Sequence, residues 1–96
     1  MRKTMVFLKR RADMSRGDFF DWWLNDHRLL GEKIPGLRRY TISLVADDTD
    51  ADFDGVGELW FDDTAAAQAG FASPEGRKTR ADGDAHASRR EAAEFV

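Results

Sequence analysis

Phe19-Phe20-Asp21-Trp22-Trp23-Leu24-Asn25-Asp26-His27-Arg28-Leu29-Leu30 holds two of the chain's three tryptophans and one of its two histidines. Wound as an α-helix at about 100° per residue, it places Phe19, Phe20, Trp23, His27, Leu30 and Ile34 within an arc of about 100° and leaves Asp21, Asn25, Arg28 and Glu32 outside it. His27 thus lies inside an apolar stripe, one turn from Trp23 and one from Leu30. A titratable ring among large hydrophobes is either a packed core histidine or the polar element of a ligand pocket, and the stripe alone leaves both open.

Before this helix, Ser15 stands at the N-cap with Asp18 three residues on, a capping-box-like start. Residues 4–8, apolar on both faces, read as a strand whose two faces are both covered. The helix runs to about Lys33, where Pro35 disfavours helical geometry and Pro35-Gly36 turns the chain. Residues 37–45 form a second strand, with Tyr40, Ile42 and Leu44 on one face. An acidic loop follows over 47–54. Residues 56–61 form a third strand, with Val56, Glu58 and Trp60 opposed to Gly57, Leu59 and Phe61. Asp63 or Thr64 caps a second helix over 65–71, which ends near Ser73-Pro74. Residues 75–96 are polar and Ala-rich, and one more helix is expected near 85–95.

The order β-α-β-β-α-helix is most of a split βαβ, ferredoxin-like α+β fold: an antiparallel sheet with helices on one face. A fourth strand beside the first is expected to be missing, so that a partner chain or a tail covers an otherwise open edge.

With 96 residues, 42% of them hydrophobic, the chain is one domain over 1–96 with a modest core, near the size at which burial against a partner matters. A homodimer is expected. The net charge of −3, with Lys and Arg scattered among acids, offers no basic stripe and argues against nucleic acid. The absence of cysteine removes disulfides and thiolate chemistry. No apolar run approaches a membrane span, and residues 1–8 are too short for a secretory core, so a cytoplasmic location is expected.

Asp50-Ala51-Asp52-Phe53-Asp54-Gly55 matches the opening of a calcium-binding loop, but Phe61 stands where the bidentate Glu belongs, so no metal site is expected. Glu58 places a carboxylate between Val56 and Trp60, where it is paired, hydrated or functional. Asp26 is about 100° around the helix from His27 and is not an automatic partner. His86, in a polar segment, reads as exposed, and no catalytic triad can be assembled from the two histidines.

Phe7-Leu8-Lys9-Arg10, Met14-Ser15, Phe19, Trp23, His27, Leu30, Pro35-Gly36-Leu37-Arg38-Arg39-Tyr40, Asp54-Gly55-Val56 and Glu58-Leu59-Trp60-Phe61, in that order, resemble the EthD family, as do Ala72-Ser73-Pro74-Glu75-Gly76 and Phe95-Val96 farther on. The resemblance implies a dimeric α+β barrel, two ferredoxin-like subunits packed sheet to sheet with helices outside. It implies an association with the breakdown or processing of small organic molecules, and a wider superfamily of isomerases, cyclases, cofactor-free monooxygenases and haem proteins. Carried over residue by residue, it maps the recurring helix histidine onto His27, its aromatic neighbour onto Trp23 and the strand acid onto Glu58.

These readings converge on a hydrophobic pocket near His27 that isomerises, cyclises or oxidises an aromatic or lactone-like compound without a cofactor. His27 and Glu58 are the candidate catalytic residues; Phe20, Trp23, Tyr40 and Trp60 are the candidate substrate-binding residues. The alternatives are a non-catalytic carrier of a hydrophobic intermediate and, less favoured, a haem-binding member of the superfamily.

Overall fold

Four strands and three helices follow one another in the computed structural model, which describes residues 1–46 and 49–96. Strand β1 spans Arg2–Arg10. Helix α1 follows in three registers, an α-helical start Arg16–Asp21, a π-helical stretch Trp22–His27 and an α-helical end Arg28–Gly31. Strands β2 (Arg39–Leu44) and β3 (Gly55–Phe61) come next, then helix α2 (Thr64–Ala72), helix α3 (Pro74–His86) and strand β4 (Ala87–Phe95). The sheet order is β2-β3-β1-β4, with each neighbouring pair antiparallel. Two split β-α-β units therefore interleave, which is the ferredoxin-like fold.

The fourth strand expected to be missing is present, and residues 87–95 are not a helix. β4 pairs along nearly all of β1, from Lys3 opposite Phe95 to Arg10 opposite Ala87. Its composition explains the difference. Arg, Glu and Ala dominate Ala87–Phe95 and favour helix locally, and almost every residue is exposed, so no apolar alternation marks it. Pairing with β1 overrides that local preference, and the charges suit an edge strand that must not recruit another chain. The third helix lies earlier than expected. Ser73 is shared between two helices: its hydroxyl donates to the Gly70 carbonyl at the end of α2 and accepts from the Gly76 N–H at the start of α3. Ser73-Pro74 is thus a stop and a start at once, with Pro74 in the first turn where its missing N–H costs nothing.

All three helices cover one sheet face. β3 alternates strictly, with Gly55, Gly57, Leu59 and Phe61 buried beneath the helices and Val56, Glu58 and Trp60 half-buried on the other side. The core has two clusters, one of Leu8, Phe19, Trp22 and Trp23, the other of Ile34, Leu59, Phe61 and Ala67, and Val6 packs against both. Gly55 matters to the first: a Cβ there would lie 2.8 Å from the Trp23 ring.

Of the acidic loop, Asp47 and Asp48 lie outside the described residues. Asp54, one of the carboxylates of the calcium-like pattern, is buried and turned into the protein. Its Oδ2 accepts from the Arg10 N–H at 2.8 Å, and Oδ1 lies 3.7 Å from the Arg10 and 3.8 Å from the Arg16 guanidinium. It ties the loop to β1 and to the start of α1. Among the described residues no helix is long and apolar enough to cross a membrane.

Candidate functional site

Ser15 caps α1 as the sequence indicates, its hydroxyl accepting from the Asp18 N–H at 3.0 Å. The helix then departs from regular geometry. The Arg28 N–H donates to the Trp23 carbonyl, a five-residue step that marks the π-helical stretch. In a uniform α-helix Trp22 and His27 would be about 140° apart around the axis. Here their rings lie 4.6 Å centroid to centroid, and Trp22 is buried beside Trp23 and Phe19.

His27 is 7% exposed. Its Nδ1 lies 2.9 Å from Oδ2 of Asp82 on α3, and the same oxygen accepts from Trp22 Nε1 at 3.1 Å. An ionised carboxylate only accepts, so it fixes the His27 tautomer with the proton on Nδ1 and leaves Nε2 with its lone pair. His86, one turn beyond Asp82, donates from Nδ1 to the Asp82 carbonyl at 2.8 Å and stacks on Trp22 at 4.4 Å. Two histidines, an aspartate and an indole therefore form one unit across α1 and α3. Burial lowers the pKa of His27 and outweighs the Asp82 hydrogen bond that would raise it.

Nε2 of His27 has no hydrogen-bond partner among the described residues and stands beside Gly83, where a Cβ would come within 3.4 Å of Cε1. It borders a cavity of about 180 Å³ between the two core clusters. Val6, Leu8, Ile34, Leu59 and Phe71 supply apolar walls, and Trp23 and Tyr40 close one side. Burial raises the pKa of the Tyr40 phenol, so it remains a donor at neutral pH. The Trp23 indole opposes that rise, yet among the described residues its buried N–H has no hydrogen-bond partner.

The EthD domain model matches residues 11–90, most of the chain. The chain belongs to the EthD family. Its fold is shared with a Bacillus halodurans EthD family protein, at 21% identity and a TM-score of 0.85 over 100% of this chain and 98% of the other. A dimeric ferredoxin-like protein of unknown function from Thermobifida fusca matches at 16% identity and a TM-score of 0.81, covering 99% and 89%. A hydroxynitrile lyase from Passiflora edulis matches at 16% identity and a TM-score of 0.80, covering 99% and 91%. No curated protein sequence matches this EthD chain.

Of the candidate residues, the structure brings His27, Trp23 and Tyr40 together around the cavity. Glu58 and Trp60 are on the other sheet face, because strand alternation sends them opposite to Gly57 and Leu59. Glu58 lies 3.7 Å from Lys3, and the expectation that it shares a site with His27 is not met. Phe20 packs on the Leu8–Phe19–Trp22–Trp23 cluster and does not line the cavity. Asp26 is exposed, while Asp82 and the π-helical Trp22 contact His27 instead, and Tyr40 lines the same cavity. The one signal for Asp82 and His86 was their spacing of four on a helix, visible only once that segment is known to be helical.

Proposed function

We propose that this EthD-family chain is a proton-transfer enzyme for a small ring-containing molecule, isomerising or cyclising it. His27 Nε2 is the general base, Asp82 the positioning carboxylate on Nδ1, and Tyr40 the donor to a substrate oxygen as negative charge develops there. The observation that carries this reading is the 2.9 Å contact of His27 Nδ1 with Asp82, which leaves a neutral ring with a free nitrogen at a cavity that also holds Tyr40. A carrier needs only the apolar walls; a second polar group in the same cavity favours chemistry over carriage.

Among the described residues Met5, Phe7, Val56 and Trp60 share the sheet face that no helix covers, which supports a homodimer closed sheet to sheet; the Thermobifida fusca relative is described as dimeric. On this reading Glu58 and Trp60 serve the subunit interface.

Turnover of a panel of lactones and phenols by the parent, His27→Ala and His27→Gln chains tests the proposal. Loss of the general base should lower kcat by about 10²- to 10⁴-fold, while the Gln variant retains binding. Parent-like turnover and binding in both variants, together with a much lower melting temperature, would make His27 a core residue.

A further inference from the structure

The charge around the cavity has no part in proton transfer. Helix α3 presents Arg77 and Arg80 to it, on the side that also carries Gly83 beside His27, and β4 contributes Arg90 opposite Leu8. Among the described residues neither the Arg77 nor the Arg90 guanidinium makes a hydrogen bond or an ion pair, and Arg80 Nε lies 3.5 Å from Asp84. Among the described residues three arginines thus line one opening, and of their guanidiniums only that of Arg80 has a carboxylate partner, in a chain whose net charge is −3. Burial, and after it the nearby charge of Arg80, hold Arg90 below the ordinary guanidinium range. A fold that partly buries one cation beside another creates a cost that a bound anion relieves. Guanidinium geometry matches a carboxylate two-toothed.

Apart from His27, Tyr40 and Thr79, the remaining lining is apolar. A cavity of roughly 150 Å³ accommodates benzene, so the 180 Å³ between Leu8, Ile34, Leu59 and Phe71 suits one substituted ring. We infer that the substrate is a monocyclic carboxylate, its ring among these side chains and its anionic group held by Arg90 with Arg77 and Arg80. This deepens the proton-transfer reading and rests on the same cavity being the substrate site.

The test titrates the intact protein with benzoate, neutral benzamide and inorganic phosphate, following heat of binding and the ring signals of the two histidines by NMR. Benzoate should bind at least tenfold more tightly than benzamide, less tightly as salt is raised, and more tightly than phosphate. Arg90→Gln should remove the preference and Arg90→Lys should restore part of it. Should Arg90→Gln fail to fold, Arg77→Gln with Arg80→Gln, at the rim of the cavity on α3, must remove the preference instead. Equal affinity for benzoate and benzamide, binding of neither, a preference that survives these variants, or phosphate binding as tightly as benzoate overturns the inference. The histidine signals separate this from the reading beneath it. If benzamide binds as well as benzoate and shifts His27, the anion site fails and the catalytic cavity stands. If benzoate is preferred through Arg90 while His27 is unmoved, the anion site stands and the role of His27 falls.

Discussion

One face of the sheet is covered by three helices and carries almost no charge at its centre; the other is open and mixes charge with bulk. On the covered face Leu8, Leu59 and Phe61 are buried beneath α1 and α2, and the cavity opens where their packing leaves off. On the open face Lys3 reaches Glu58 at 3.7 Å and lies over Trp60 at 5.5 Å, with Arg39 over the same indole at 4.9 Å. The two faces differ because a strand offers every second side chain to each side, and among the described residues only one side has helices. The covered face is built for stability and a cavity. The open face, half-buried and cross-linked by cations over an aromatic ring, is suited to a second copy of itself.

That contrast is broken most directly by truncating each face in turn. Phe61→Ala, at a side chain 0% exposed, should cost about 3–5 kcal/mol, a large part of the stability of a domain this size. Val56→Ala on the open face should cost the subunit about 1 kcal/mol or less. Chemical denaturation of both variants measures the difference, and equal losses would mean that the faces are not distinct.

The open face should respond in assembly instead. Trp60→Asp places a charge where a partner's sheet is expected and should remove about 2 kcal/mol or more of association energy. Sedimentation at micromolar concentration would then show monomers with near-parental secondary structure. An unchanged dimer would assign the interface to another surface.

Ser73 offers a smaller effect at the corner where α2 meets α3. Ser73→Ala removes an N-cap and a donor together and should cost about 1 kcal/mol, with earlier hydrogen exchange in α3 than in the sheet. Because α3 carries Asp82, the same variant should loosen His27 and reduce turnover more than it reduces stability.

What the sequence made legible follows the same division. β1, β2, β3 and α1 show apolar side chains at recognisable periods, since the covered face selects for them, and His27 stood out for being polar within such a period. Helix α3 packs through Gly76, Gly83, Asp82 and His86, so its inner face carries no hydrophobic period, and β4 is an exposed, charged edge. The carboxylate partner of His27 was hidden for that reason. Trp22 was hidden for another: a constant 100° per residue turns it away from the stripe, and only the π-helical stretch brings it beneath His27.

The last expectation concerns protons, and it too separates the faces. The pKa of His27 in the folded chain lies below the ordinary imidazole value of 6.5, chiefly because burial disfavours the cation. Below that value the unfolded chain binds a proton that the folded chain resists, so stability should be fully present above pH 6.5 and decline as pH falls toward the folded pKa. The exposed aspartates with depressed pKa values, Asp13 and Asp62, begin to lose what little they contribute only as pH nears and passes below 3.8. The window between about 4 and 6.5 therefore reports on the covered face. Denaturation across it should show a decline in the parent that His27→Gln flattens and Trp60→Asp leaves in place. If His27→Gln retains the full decline, the protonation that weakens the fold lies elsewhere and His27 is not held neutral by its burial. If the decline disappears while turnover of the parent still falls with pH over the same window, stability and catalysis draw on the same nitrogen pair, Nδ1 bound to Asp82 and Nε2 at the cavity.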